Sequence, residues 1–133
     1  MRNKPTLTLA DAQKMMTACK AEAQKNKWNV TIAIVDDSGA AMLVDRMDGA
    51  GPISAEVAMG KARTSAATKR PTKFWEDRTK ERPAFLTFPS GGVLFQGGLP
   101  IVHQNECVGA IGVSGVQSHE DEQVAQAGVN ALG

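Results

Sequence analysis

The stretch that decides the fold is FQGGLPIVHQNECVGAIGVSGVQSHED, residues 95–121. Gly97, Gly98 and Pro100 form a turn that opens a short strand, and the polar run HQNE at 103–106 predicts a hairpin loop that returns into a second strand. Three glycines interrupt this second, apolar strand, at positions 109, 112 and 115. Glycine weakens a strand unless another backbone or a ligand must approach closely. We therefore expect a ligand or a subunit contact at this strand.

The first third of the chain predicts a helix followed by a hairpin. Thr8 and Asp11 have the spacing of a helix capping box, and apolar residues recur at helical spacing over the next four turns. Residues 28–34 alternate between apolar and polar or small side chains, which is typical of a half-buried strand. Turn residues at 36–39 then lead into a second strand at 41–44.

Two helices and a second group of strands complete the prediction. A helix with a small-residue face starts at Ile53, so we expect it to lie close to the sheet or another helix, and Pro71 separates it from a short helix capped by Thr72. Residues 93–95 are predicted to add a strand before the hairpin, and Ser118 to cap the last helix. The order predicts an α+β domain with a mainly antiparallel, five-stranded sheet.

Composition limits the classes of function. A chain of 133 residues with 42% hydrophobic residues is expected to form a single domain over 1–133. A net charge of +1 without long runs of like charge argues against nucleic acid or an anionic membrane as partner. No stretch approaches the ~20 apolar residues of a membrane-spanning helix, and we expect a cytoplasmic protein. Cys19 and Cys107 are expected to be two reduced core residues.

The glycines do not form a known nucleotide motif. GAIGVSG at 109–115 lacks the spacing of the dinucleotide fingerprint and the lysine of a P-loop. A more modest interpretation is that the backbone at 115–118, at a helix N-terminus, receives an anionic group.

Several short segments together resemble the GlcG/HbpS family of heme-degrading domains. They are VDDSG at 35–39, RMDG at 46–49, KART at 61–64, GGLP at 97–100, and GAIGVSG at 109–115 with Asp121 behind it. The resemblance covers nearly the whole chain, in order. It implies a profilin-like α-β-α fold, a homo-oligomer of dimers assembled into tetramers or octamers, and a family that includes heme-binding proteins.

A heme ligand requires a residue that can reach iron. His103 and His119 are the two imidazoles of the chain, and a heme iron takes such a ligand readily. His103 is the candidate metal ligand. The alternative is that both histidines are solvated, one in a hairpin loop and the other in the first turn of a helix.

Cationic side chains in the family-like segments are candidates for binding the carboxylates of heme or of a small acid. Arg46, Lys61 and Arg63 are the cations, and arginine binds carboxylates in a bidentate manner. The alternative is that they form ion pairs with Asp45, Asp48 and Glu56. The full set of predicted ligand-binding residues is Arg46, Asp48, Arg63, Gly97, Gly98, Gly112 and Ser114.

Two functions from different classes follow. The first is a heme-binding protein, with slow oxidative degradation of heme as an extension. The second is a lyase or isomerase of a catabolic operon that acts on a small carboxylic acid in a pocket between subunits. Its catalytic residues would be Arg46, Lys61 and Glu122, with Glu122 and Asp121 moving protons if they are buried together. Trp75, Phe85 and Phe88 would provide apolar walls for an aromatic acid.

Overall fold

The computed structural model describes residues 1–89 and 92–133. In chain order its elements are α1 (Leu9–Lys25), β1 (Thr31–Asp36), β2 (Ala41–Arg46), α2 (Ile53–Thr68), α3 (Thr72–Glu81), a 3-10 helix (Pro83–Thr87), β3 (Gly98–His103), β4 (Glu106–Ser114) and α4 (Ser118–Leu132). No helix in this part of the chain is long and apolar enough to cross a membrane.

The sheet has the order β2-β1-β4-β3, and all neighbouring strands are antiparallel. The α+β class and the antiparallel sheet are confirmed, but the prediction of five strands is wrong because four are found among the described residues. The missing strand is the one predicted at 93–95. There the Val93 N–H bonds to the Gly60 carbonyl of α2 at 3.3 Å, so the backbone pairs with a helix and not with the sheet.

The strand β1 lies in the middle of the sheet and is covered on both faces. Residues 31–35 are all buried, whereas the alternating sequence predicted a strand with one exposed face. Ile32 and Ile34 belong to the larger core cluster, which is shared with α1 and α4. Ala33 and Val35 belong to a smaller cluster shared with α2. The polar and small residues of the pattern therefore face a second helical layer instead of water.

The first residue of each helix follows the sequence prediction, except that two of the predicted N-caps are shifted by one residue. Thr8 accepts a hydrogen bond from the Asp11 N–H at 3.1 Å, and Asp11 accepts from the Thr8 N–H, which confirms the capping box of α1. The N-cap of α4 is Gln117, in a capping box with Glu120, and not Ser118 as predicted. The cap of α3 is Pro71, so Thr72 is the first residue of that helix.

Close approach between α2 and β4 explains the glycine in the middle of β4. A Cβ atom at Gly112 would lie 2.0 Å from the Ala58 carbonyl oxygen and 2.6 Å from the Ala62 nitrogen. The small-residue face of α2 does lie against the sheet, as predicted. The contact that Gly112 permits is within the subunit, so this glycine needs neither a ligand nor a second copy to explain it.

The β3–β4 hairpin is tighter than the predicted four-residue loop. His103 pairs with Glu106, which leaves a turn of two residues, Gln104 and Asn105. Both have positive φ, +52° and +64°, as the favoured two-residue hairpin turn requires. Cys19 and Cys107 are free and buried, which confirms that they are core residues and not a disulfide.

Candidate functional site

The most unusual side chain in the structure is Lys61, a fully buried lysine on α2. Its Nζ donates to the Val113 carbonyl oxygen at 2.8 Å and to Asp121 Oδ2 at 3.1 Å. The same nitrogen lies 4.9 Å from the centre of the Phe95 ring. Charged side chains are almost never fully buried unless they are paired, so the fold maintains this lysine at an energetic cost.

Two glycines make room for Lys61. A Cβ atom at Gly97 would lie 2.5 Å from Lys61 Nζ, and one at Gly98 would lie 2.6 Å from the Lys61 carbonyl oxygen. The side chain starts on α2, on one face of the sheet, and reaches α4, on the other face, past the beginning of β3. The GG dipeptide therefore accommodates a lysine that connects the two helical layers.

Asp121 completes the pair from the first turn of α4. Its side chain is 3% exposed, and Oδ1 accepts a hydrogen bond from the Val116 N–H at 3.2 Å. Burial lowers the pKa of Lys61, and the neighbouring Asp121 charge partly opposes this. Burial likewise raises the pKa of Asp121, with Lys61 opposing. Both shifts favour the uncharged form of each group, because the effect of burial on the two pKa values outweighs the attraction between the charges.

Acidic side chains flank the pair. The Gln96 N–H donates to Glu76 Oε1 at 3.2 Å, and Gln96 Nε2 donates to Glu122 Oε2 at 3.1 Å. Glu76 is also among the charges that act on the pKa of Lys61. Glu122, a predicted catalytic residue, thus accepts a hydrogen bond from Gln96, whereas its neighbour Asp121 accepts one from Lys61.

An open groove of about 350 Å³ runs beside Phe95. It is lined by Glu76, Thr79, Leu86 and residues 92–95. Phe95 is 43% exposed and Leu86 is 69% exposed, which is high for large apolar side chains. One face of the groove is thus formed by the ring that covers Lys61 Nζ.

The aromatic residues predicted as pocket walls form a cluster on α3 and the 3-10 helix. The ring of Trp75 lies 5.5 Å from that of Phe85 and 5.7 Å from that of Phe88. Phe74 adds an edge contact at 5.0 Å to Trp75. Arginine side chains lie over these rings, for example Arg70 over Phe74 at 4.2 Å. The cluster stabilises the segment that carries one side of the groove.

The structure does not bring the predicted arginines to Lys61. Arg46 and Asp48 are exposed and line an open cavity of about 470 Å³ at the β2 edge. Arg63 is also exposed and lines a different cavity, of about 480 Å³, with Glu56. Ser114 pairs with Thr31 inside the sheet. Of the alternative partners proposed for these cations, Asp45 pairs with Lys20, and Lys61 pairs with Asp121.

His103 lies at the opposite end of β3 from Gly98, five residues or ~16 Å along an extended strand. It is exposed and borders a cavity of about 220 Å³, whose walls include Leu7, Val108 and Leu132. His119 is exposed on α4. Within residues 1–89 and 92–133, no group of three or more His, Cys, Asp or Glu side chains is placed to hold a metal ion.

Sequence reasoning missed the partners of Lys61. Lys61 was proposed as a catalytic or carboxylate-binding cation, with an ion pair as the alternative, and it falls on the same face of α2 as Ala58, Ala62 and Ser65. A lone lysine among small buried residues was the available signal. Nothing local to Asp121 or Phe95 indicated that these residues meet it, because the contacts span 60 and 34 positions of the chain.

A family model described as "Haem degrading protein HbpS-like" matches residues 7–130. The chain belongs to the HbpS-like family. This confirms the resemblance drawn from the short segments. Within the family, the protein is 41% identical over 115 residues to protein GlcG of Escherichia coli K12, covering 86% of this chain and 85% of GlcG.

Solved structures of the HbpS-like family share the whole fold. A double mutant of HbpS from Streptomyces reticuli is 35% identical, with a TM-score of 0.92, and the match covers 100% of this chain and 91% of the other. A PduOC–heme complex is 27% identical, with a TM-score of 0.89, covering 96% and 95%. The α-β-α architecture expected from the resemblance is therefore found.

Proposed function

We propose that this protein binds heme and that His103 is the ligand of the iron. The observation that carries the proposal is that an HbpS-like relative with the same fold over 96% of this chain was solved as a heme complex. The family description itself also refers to heme degradation. Imidazole is a common axial ligand of heme, and the His103 side chain is exposed and free to supply it.

The surroundings of His103 suit a flat, apolar ligand with acidic groups. Leu7, Val108 and Leu132 supply apolar surface beside the imidazole. Cationic side chains are near, because Arg2 pairs with Glu106, the residue opposite His103 in the hairpin. Arg2 is therefore a candidate partner for a heme propionate.

The cavity beside His103 is too small to enclose a heme by itself. Its volume of about 220 Å³ is below the roughly 300–1,000 Å³ of sites that enclose small molecules. We propose that a second copy of the chain covers the rest, consistent with exposed apolar residues such as Val102, the neighbour of His103, which is 56% exposed. A homo-oligomer would therefore be the form that binds heme tightly.

The test is a hemin titration followed by the Soret band, with light scattering on the same samples. Wild type should show a saturable change and a mass above the 14.1 kDa of one chain. His103→Ala should lose the spectrum of the imidazole-ligated iron and bind at least roughly tenfold more weakly, or about 1.4 kcal/mol.

His119→Ala is the matched control, since His119 is the other exposed histidine and lies on α4. It should titrate like wild type. If wild type gives no saturable change, the protein does not bind heme; identical spectra for wild type and His103→Ala would assign the iron to another ligand.

A further inference from the structure

Lys61 is not part of the proposed heme site, since His103 lies at the other end of β3. An ammonium has three N–H donors. Two contact Val113 and Asp121, and the remaining side of the nitrogen faces the Phe95 ring. A cation above an aromatic ring is stabilised, and Phe95, which supplies this ring, also lines the neighbouring groove.

Phe95 separates Lys61 from the groove by the thickness of one ring. Because the residue is 43% exposed, its side chain can rotate toward solvent without repacking the core. The groove beyond it is bordered by apolar side chains, including Leu86 and Val93. Rotation of one side chain would therefore join the lysine to a volume of about 350 Å³ that suits a small apolar molecule.

We propose that Lys61 is an amine nucleophile that forms an imine with a neutral, apolar aldehyde or ketone bound in this groove. Buried lysines are suited to this chemistry because the uncharged amine is the reactive form. Burial lowers the pKa of Lys61, which increases the fraction of that form near neutral pH. Asp121, bonded to the same nitrogen, is the group that accepts and returns protons.

The reaction needs no other reagent. The Lys61 amine attacks the carbonyl carbon, a C–N bond forms, and the π electrons of the C=O bond move to oxygen. Asp121 protonates that oxygen and takes a proton from the nitrogen, and the oxygen leaves as water when the C=N bond forms. Both hydrogens of the water come from the amine overall, and nothing is oxidised or reduced.

The charges at the groove decide the class of substrate. Glu76 lines the groove, and Glu122 lies on the other side of Gln96. The Glu76 carboxylate at this entrance repels an anionic substrate, and the arginines that were expected to bind a carboxylate lie in other cavities. A neutral carbonyl compound therefore fits better than the carboxylic acid that the sequence suggested for an enzyme.

The test uses wild-type protein with benzaldehyde and sodium cyanoborohydride, which reduces an imine to a stable secondary amine, followed by peptide mapping. Lys61 should be modified first, ahead of exposed lysines such as Lys27. Its rate of modification should reach half of its maximum at a lower pH than the rate of the exposed lysines. Glyoxylate, an anionic aldehyde, should react more slowly at Lys61. Phe95→Ala should increase the rate with benzaldehyde roughly tenfold, corresponding to about 1.4 kcal/mol in the barrier.

Three results would overturn the proposal. One is modification spread over surface lysines without preference for Lys61 in both wild type and Phe95→Ala. Another is glyoxylate reacting faster than benzaldehyde, which would exclude the neutral substrate class. The third is alkylation of the fully buried Cys19 by iodoacetamide, added to a parallel sample, at the same rate as modification of Lys61, because the adduct would then arise from unfolded molecules.

Discussion

Removal of one partner of the Lys61–Asp121 pair should destabilise the protein strongly. Lys61→Met keeps much of the volume of the side chain but leaves the Asp121 carboxylate, 3% exposed, with the Val116 N–H as its remaining donor. Breaking a buried pair by removing one partner costs about 3–5 kcal/mol. Asp121→Asn should cost a similar amount, because a fully buried ammonium then loses its counter-charge.

The double variant Lys61→Met, Asp121→Leu should recover much of that loss. With both charges gone, no ion remains buried, and replacement of a buried pair by apolar residues is often neutral. Urea denaturation of Lys61→Met, Asp121→Leu and the double variant gives the coupling energy directly, because these singles carry the same substitutions as the double. The argument that the two charges depend on each other would be refuted if the free energy of unfolding of each single variant were within about 1 kcal/mol of wild type. It would also be refuted if the losses of the two single variants added up to the loss of the double variant.

The stabilities of Asp121→Asn and Lys61→Met should change with pH in opposite directions. In Asp121→Asn, the pKa of Lys61 falls further below its unfolded value of ~10.4, so the unfolded chain binds more protons, and stability increases as pH rises toward that value. In Lys61→Met, the pKa of Asp121 rises further above ~3.9, so the folded chain binds more protons, and stability is lost as pH rises through the folded pKa. If the free energy of unfolding changed with pH in the same direction in both variants, these expectations would be contradicted.

Two further substitutions test the fold and the arginine hypothesis. Gly112→Ala should destabilise by about 3 kcal/mol or more, because its Cβ would overlap the α2 backbone. Gly51→Ala is the neutral control, because a Cβ atom added at Gly51 would have nothing within 4 Å. Equal urea midpoints for the two variants would contradict the close contact between Gly112 and α2. Arg46→Met should leave the melting temperature unchanged, since Arg46 is exposed and forms no ion pair within the described residues. A marked decrease would show that Arg46 is structural.

Local sequence patterns predicted the elements of the fold but not all of their pairings. The Thr8–Asp11 spacing located α1, and the turn residues at 36–39 located the β1–β2 hairpin, because both signals act over a few residues. Alternation in β1 was misinterpreted, since small residues such as Ala33 can face either water or a closely packed helix. The strand predicted at 93–95 failed because an apolar run does not specify whether its backbone bonds to a sheet or to α2.

The candidate site was predicted in part. Lys61, Gly97 and Gly98 were singled out from sequence, and the structure brings these three together. The glycines make space for the lysine, and their predicted contact with a ligand stays a prediction. Asp121 was also a candidate from sequence, for proton transfer beside Gly97 and Gly98, but its contact with Lys61 and that of Phe95 join distant segments, which periodicity and spacing do not encode.

The central position of β1 has a consequence for synthesis of the chain. One edge of β1 pairs with β2, which follows directly, but the other pairs with β4. About 70 residues separate the end of β1 from the start of β4, which ribosomes take ~4–14 s to translate. During that interval the segment TIAIVD has an unpaired, strongly apolar edge, the kind of segment that recruits other chains into aggregates. The nascent protein would therefore be most vulnerable to aggregation just before its last quarter leaves the ribosome, and slowing translation of residues 37–105 should lower its soluble yield.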